Sequence, residues 1–381
     1  MKAVVLTFDR LPAYWLSCYG NPSAPTPNCD ALAAQSIVFD EHFTENVDSS
    51  ARNHAWWTGC YQFPRSHDAQ LHFPNVFSAF QGHQIETALF VEKSDQDGSI
   101  PLPAFSTASS AEPKRSSVRI FEAATTCELI AGGIDCINGW QGENVASWLL
   151  WLKASGITVP SASSQLISEA TQPVDESIGR LWQFLSNEVE HDDLLLVVTA
   201  GRGADGSFST ADGNADRSAI RDSILHVPLF LYLGGVEMGG RRSELTQPVD
   251  LVPTLLEWLG MDSNTLPNEG HSVLTCARSK AHPGRGQLFF GDGLRTIGTA
   301  TEDCLLRMPG QNAGPAVSRD PEMFIKPDDR FEIHDVARQE PDIVDELVRT
   351  LTDFVEEHHD SSPVPFNTTE HDPTSMNEPT E

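Results

Sequence analysis

The sequence predicts an α/β fold: a doubly wound, mainly parallel sheet with helices on both faces, a small C-terminal antiparallel sheet and a closing helix. Short apolar runs have the length of buried parallel strands, and they cover 3–8, 86–91, 148–152, 194–199 and 227–233. Helical periodicity follows over 28–36, 175–188 and 250–259. Strands that alternate with helices favour a parallel sheet covered on both sides.

The pattern changes after about residue 285. Short antiparallel strands are predicted over 287–290, 295–301, 304–308 and 331–334, and a helix over 341–358. We therefore expect a main α/β domain over 1–280, a small antiparallel subdomain with its helix over 281–360, and a disordered acidic tail over 361–381. Residues 95–117, rich in Ser, Pro and Ala, are predicted to form a long surface loop.

Composition excludes some classes of function. The 381 residues include 54 acidic and 25 basic side chains, a formal charge of −29, and a nucleic-acid binder needs a basic face instead. No apolar run reaches the roughly 18 residues of a membrane span. The first residues, MKAVVLTFD, predict a strand rather than a signal peptide. Seven cysteines without paired spacing suggest reduced thiols in a cytoplasmic protein.

Several segments, in the same order, resemble the sulfatases of the alkaline phosphatase superfamily. They are AVVLTFD with LSCYGNPSAPTPNCDALAAQSIVFDEHFTENV, QPVDESIGRLWQFL with LLLVVTAGRG, HVPLFLYLGG with QPVDLVPTLLEWLGM, and FEIHDVARQEPDIVDEL. The resemblance implies the sulfatase fold. It also implies hydrolysis of a sulfate ester by a formylglycine made from Cys or Ser, with calcium held by acidic and amide oxygens.

The metal positions implied by the resemblance are altered. Asp9 matches the first acid of an Asp-Asp pair, but the second position holds Arg10. In the turn that matches T-S-D-H-G, Gly201 and Arg202 stand where ligands are expected, and Arg217 keeps the positive charge of a family lysine. We therefore expect no cofactor, and calcium only if the protein is an active sulfatase. An arginine from one of these turns is expected to neutralise Asp9.

The catalytic loop also departs from the family pattern C/S-x-P-S-R-x-x-x-x-T-G. Counting back from Thr58–Gly59 places Ser49 at the nucleophile, Arg52 at the family serine and Asn53 at the family arginine. Counting from Arg52 as the family arginine instead places Asp48 at the nucleophile. Neither alignment keeps Pro-Ser-Arg, so conversion to formylglycine is not expected. Ser49 could still act as an unmodified seryl nucleophile.

Three functions remain open at this point. The first is a non-catalytic sulfatase-family protein that binds the sulfate or phosphate group of a small molecule or glycan. The second is a divergent sulfuric ester or phosphoester hydrolase that uses Ser49. The third is a subunit that docks a partner through its acidic face. In the first two cases we expect one cleft at the carboxyl ends of the strands, formed by Asp9, Ser49, Arg52 or Asn53, Arg202 and Arg217.

Overall fold

The computed structural model describes residues 1–47, 49–65, 74–81, 83, 85–93, 118–157, 164–190, 192–204, 220–235, 239–278, 284–293, 295–313 and 320–359. The predicted loop over 95–117 and the predicted tail over 361–381 lie outside these ranges. Within them, no helix is long and apolar enough to cross a membrane. None of the seven cysteines is paired in a disulfide. The cytoplasmic location and the domain boundary at residue 280 stay predictions.

The main sheet has eight strands in the order β4-β3-β5-β1-β6-β7-β2-β8. Most neighbours are parallel, but β7 runs antiparallel to both β6 and β2. All five strands predicted for this sheet are confirmed. The strands are β1 Lys2–Arg10, β2 Ile37–Phe39, β3 Glu86–Glu92, β4 Arg119–Ala123, β5 Trp148–Gly156, β6 Leu194–Ala200, β7 Leu229–Leu233 and β8 Gly240–Arg242.

Nine helices flank the sheets in the described part of the chain. They are α1 Pro27–Ala33, α2 Ser49–Thr58, α3 Val76–Gln81, α4 Thr126–Gly142, α5 Ser164–Glu188, α6 Asp222–Leu225, α7 Leu251–Trp258, α8 Val273–Arg278 and α9 Pro341–His359. Short 3₁₀ turns add Ala13–Trp15, Ser17–Tyr19, Pro248–Asp250 and Ser263–Thr265. Helix α5 begins well before its predicted start at 175. The prediction relied on buried apolar positions, and the side chains of residues 166–170 are only partly buried or exposed.

The second sheet is small and antiparallel, with the order β12-β11-β10-β9. Its strands are β9 Leu288–Gly291, β10 Thr296–Ala300, β11 Cys304–Pro309 and β12 Glu322–Ile325. The predicted strand over 331–334 is wrong. Residue Glu332 has a φ of 56°, which a strand cannot accommodate, and its carboxylate turns inward to meet Arg307 at 2.8 Å.

The alternation of β1 assigns its side chains to two cores, one on each face of the main sheet. Val4, Leu6 and Phe8 pack with residues of α1, α4 and α5. Ala3 and Val5 pack with residues of α2, α3 and α7. This arrangement confirms the doubly wound architecture. A third core joins the small sheet to α9 and includes side chains that flank the C-terminal end of α2.

Candidate functional site

The carboxyl ends of β1 and β6 are joined by backbone hydrogen bonds. The N–H of Gly201 donates to the carbonyl of Phe8 at 2.8 Å, and the N–H of Leu11 donates to the carbonyl of Arg202 at 2.9 Å. The segments Asp9–Arg10 and Gly201–Arg202 therefore meet at one edge of the sheet. The chain brings these two predicted groups of residues together.

Two glycines shape this edge. Gly156 ends β5 with a φ of 78°, and a Cβ there would collide with the carbonyl oxygen of Arg10. The same carbonyl accepts a hydrogen bond from the N–H of Ile157 at 2.9 Å. A Cβ at Gly203 would likewise collide with the carbonyl oxygen of Ser223. Only glycine allows the loops that follow β5 and β6 to approach so closely.

Asp9 forms a buried ion pair with Lys153, at 2.6 Å between Oδ1 and Nζ. The Lys153 side chain is 1% exposed and the Asp9 side chain is 14% exposed. Lys153 lies in β5 directly opposite Thr7 of β1. Because alternate residues of a strand share a face, Thr7 and Asp9 point to the same side of the sheet. The pairing of β5 with β1 therefore places the Lys153 ammonium beside the Asp9 carboxylate near the end of β1.

The sequence places Lys153 at the carboxyl end of a predicted strand, where site residues are expected, but the sequence analysis gave this lysine no role as a partner of Asp9. It expected an arginine on Asp9, and the structure places Lys153 there instead. The side chains of Arg10 and Arg202 are both partly exposed, and within the described residues Arg202 makes no ion pair. A buried carboxylate whose partner is removed is costly, at about 3–5 kcal/mol. The ammonium of Lys153 therefore neutralises the Asp9 carboxylate without any bound ion.

Helix α2 packs on the face of the sheet that bears Asp9. The helix begins at Ser49. Its buried residues Trp56 and Trp57 share an apolar core with Val5 of β1, and Val5 lies on the same face as Asp9. The structure does not describe the side chains of residues 49–53, so it does not locate those of Ser49, Arg52 and Asn53. It describes no part of Asp48 or Arg217.

The Thr58–Gly59 dipeptide that fixed the alignment has a structural role. The Thr58 hydroxyl donates to the carbonyl of His54 at 2.7 Å, and it accepts from the N–H of Cys60 at 3.2 Å. Gly59 has a φ of 70°, which favours glycine, and a Cβ there would press on Val252. These residues end α2 and pack it against the following core.

The buried carboxyl group of Glu45 binds the backbone of the loop that follows α2. Glu45 accepts hydrogen bonds from the backbone N–H groups of Gln62 and Phe63, at 3.1 and 3.0 Å. Burial raises the pKa of Glu45 to about 8, although these two N–H groups oppose the shift. Glu45 thus joins the segment before α2 to the segment after it. Sequence reasoning missed Glu45, because a single acid in a loop gives no signal of burial.

The residues at this edge do not fit calcium. Calcium takes six to eight oxygen ligands, with carboxylates that balance its charge. Here Asp9 is paired with Lys153, Gly201 has no side chain, and Arg10 and Arg202 add positive charge. Among the described residues no group of three or more His, Cys, Asp or Glu side chains is arranged to hold a metal.

Solved structures share this architecture over almost the whole chain. A protein of glycosaminoglycan metabolism from Bacteroides thetaiotaomicron superposes with a TM-score of 0.69 and 14% identity, over 93% of this chain and 99% of that one. The phosphonate monoester hydrolase of Agrobacterium radiobacter gives a TM-score of 0.69 and 16% identity, over 94% and 96% of the two chains. The chain has the fold of the alkaline phosphatase-like sulfatases.

Two further comparisons bear on this sulfatase fold. A structure in complex with its substrate D-glucosamine-2-N,6-O-disulfate superposes with a TM-score of 0.67 and 14% identity, over 95% of this chain and 98% of that one. An N-acetylglucosamine-6-O-sulfatase of Bacteroides thetaiotaomicron is 30% identical over 90 residues, which is 23% of this chain and 16% of that protein. No family model matches the chain.

Proposed function

We propose that this sulfatase-fold protein binds the sulfate or phosphate group of a small molecule or glycan and does not hydrolyse it by calcium-dependent chemistry. The observation that carries the proposal is the Lys153–Asp9 ion pair, at 2.6 Å and nearly excluded from solvent. The positive charge that a sulfatase obtains from its metal is here supplied by a side chain.

An ammonium supplies only part of what a metal ion supplies. Lys153 neutralises Asp9, but its three N–H donors cannot act as a Lewis acid on a sulfate oxygen or on the Ser49 hydroxyl. A serine without an adjacent base or a metal is a weak nucleophile. Compared with a calcium-dependent sulfatase, this chain still has a positive charge beside Asp9. Under this proposal it has no metal ion to activate the Ser49 hydroxyl.

Anion binding is proposed to involve the two arginines at this end of the sheet. Arg10 and Arg202 bring two guanidinium groups to the end of the sheet, and a guanidinium binds the oxygens of sulfate or phosphate in a bidentate manner. The whole chain carries a formal charge of −29, so a local group of cations is needed to attract an anion. The curated sulfatase and the substrate complex named above favour a sulfated sugar as the ligand.

The second candidate is a sulfuric ester or phosphoester hydrolase that uses Ser49. Two observations favour it: Ser49 opens a helix that covers the face of the sheet bearing Asp9, and a phosphonate monoester hydrolase shares the fold. This candidate needs calcium or another source of nucleophile activation. Docking of a partner through the acidic face remains a prediction of the sequence.

The test combines binding with turnover. Calorimetry with calcium chloride and with D-glucosamine 6-sulfate should show binding of the sulfated sugar and no binding of calcium. Aryl sulfate and aryl phosphate esters should give no turnover that depends on Ser49, with or without calcium. Calcium-stimulated hydrolysis that Ser49→Ala abolishes would reject the proposal in favour of the second candidate. Failure to bind any sulfated or phosphorylated sugar or small molecule, together with no turnover of the aryl esters, would reject both.

A further inference from the structure

A turn of the C-terminal region, residues 329–334, is tied by hydrogen bonds to α6 of the main domain and to β11 of the small sheet; we call it the anchored turn. Its residue Glu332 has a φ of 56°, a conformation that costs energy for any residue other than glycine. Two hydrogen bonds of the Glu332 carboxylate offset this energetic cost. The carboxylate accepts the N–H of Asp222 at 2.7 Å and a guanidinium N–H of Arg307 at 2.8 Å.

A second carboxylate closes the turn from within. Asp329 accepts hydrogen bonds from the N–H groups of Ile333 and His334, at 3.0 and 2.8 Å. The N–H of Glu332 donates to the carbonyl of Asp329 at 3.2 Å. Both acids of the turn thus accept hydrogen bonds: Glu332 from residues outside the turn, and Asp329 from the backbone of the turn itself. The remaining side chains of the anchored turn carry no negative charge.

These remaining side chains are apolar or basic. Phe331 is 63% exposed and Ile333 is 70% exposed, which is unusual for large apolar residues and typical of a contact surface. The Arg330 side chain is 38% exposed. Among the described residues its ionic partner is Asp222, at the long distance of 4.0 Å, and none of its N–H groups donates a hydrogen bond. Arg330 therefore has unused donors at the surface.

The anchored turn lies next to the candidate site. The Arg330 guanidinium carbon is 5.4 Å from the centroid of the Tyr14 ring. The Tyr14 hydroxyl in turn donates to the carbonyl of Ala204 at 3.4 Å, two residues after Arg202. One aromatic side chain thus separates Arg330 from the turn that carries Arg202. Arg330, the partly buried ring of Tyr14 and the turn that carries Arg202 therefore follow one another along this edge.

We propose that the anchored turn is a second anion subsite of the ligand. A second sulfate or phosphate group binds Arg330, and the apolar face of its sugar packs against Phe331. The inference rests on the proposed function, because the first anionic group binds near Arg202. It narrows the ligand class to a glycan that carries at least two anionic groups, on one sugar or on neighbouring sugars.

The experiment compares ligands that differ by one sulfate. Calorimetry with D-glucosamine 6-sulfate and D-glucosamine-2-N,6-O-disulfate should give about tenfold tighter binding of the disulfate, which is the value of one charge-assisted contact. Arg330→Gln should remove that tenfold advantage and leave the affinity for the monosulfate unchanged. Arg338→Gln is the matched control, because Arg338 is 92% exposed on the same segment, and it should change neither affinity.

A further variant guards against misfolding. Phe331→Ala leaves the ion pairs of Arg330 intact and should weaken the disulfate several-fold, while its urea midpoint stays at the wild-type value. Equal affinities of the wild type for both ligands, or equal effects of Arg330→Gln and Arg338→Gln, would refute the subsite alone. If the wild type binds neither ligand, the proposed function fails, and the subsite fails with it.

Discussion

The ion pair of Asp9 and Lys153 predicts a large coupling in protein stability. Two unit charges 2.6 Å apart attract by about 6 kcal/mol at an effective dielectric constant near 20, and desolvation of both groups offsets part of this gain. We expect Asp9→Asn or Lys153→Met to lower the free energy of unfolding by about 3 kcal/mol each, since each leaves a buried charge without a partner. The double variant should recover about 2 kcal/mol of the summed loss.

The assay is urea unfolding followed by tryptophan fluorescence, at constant m value. Lys93→Met serves as the control, because Lys93 meets Glu122 at 2.7 Å on the surface, with 66% and 59% of the two side chains exposed. That change should leave the urea midpoint unaltered. Additive losses in the double variant, within about 0.5 kcal/mol, would refute the reasoning: the two charges would then not depend on each other.

Three further predictions concern the loops around the site and the buried titratable groups. Gly156→Ala should lower stability by at least about 2 kcal/mol, because its Cβ meets the carbonyl of Arg10, whereas Gly20→Ala, also at positive φ but with open space around it, should cost about 1 kcal/mol in a urea titration. Because burial raises the pKa of Glu45 from 4.5 to about 8, wild-type stability should fall by about 1.4 kcal/mol per pH unit from about pH 5 to 8, relative to Glu45→Gln. A flat difference between those two proteins would contradict the assignment. Because burial lowers the pKa of His42 to about 3, stability should also decline as pH falls from about 6.5 towards 3, and less steeply in His42→Gln; equal acid slopes would count against it.

The central strands were predictable because they are buried on both faces. Such strands are continuous apolar runs, as in Leu194–Ala200, where every residue is buried. Two other strands lack this signal: the edge strand Arg119–Ala123 is mostly exposed, and the buried inner strand Ile37–Phe39 is only three residues long. The predicted strand over 331–334 failed for a related reason. Its alternation of apolar and polar residues is real, but the polar Glu332 faces inward and its apolar neighbours face solvent.

One part of the candidate site could be predicted from the sequence. Asp9 and Arg202 were expected in one cleft at the carboxyl ends of strands, and backbone hydrogen bonds join the turns that carry them. The cation on Asp9 comes from β5, more than 140 residues away in the chain, and the sequence alone does not show that β5 lies beside β1. One signal was available in the sequence. Lys153 interrupts the apolar run WLLWLKA, and a lysine in a buried strand requires an acid nearby.

The same pair explains why Asp9 is present where the other expected metal ligands are replaced. An acid that served calcium alone would have no role once Gly201 and Arg202 occupied the neighbouring turn. Lys153 supplies a different reason, because its buried ammonium would lose its partner if Asp9 were changed. Neither residue can be replaced singly without a cost of about 3 kcal/mol or more. The presence of Asp9 therefore has an explanation in Lys153 that does not require a metal.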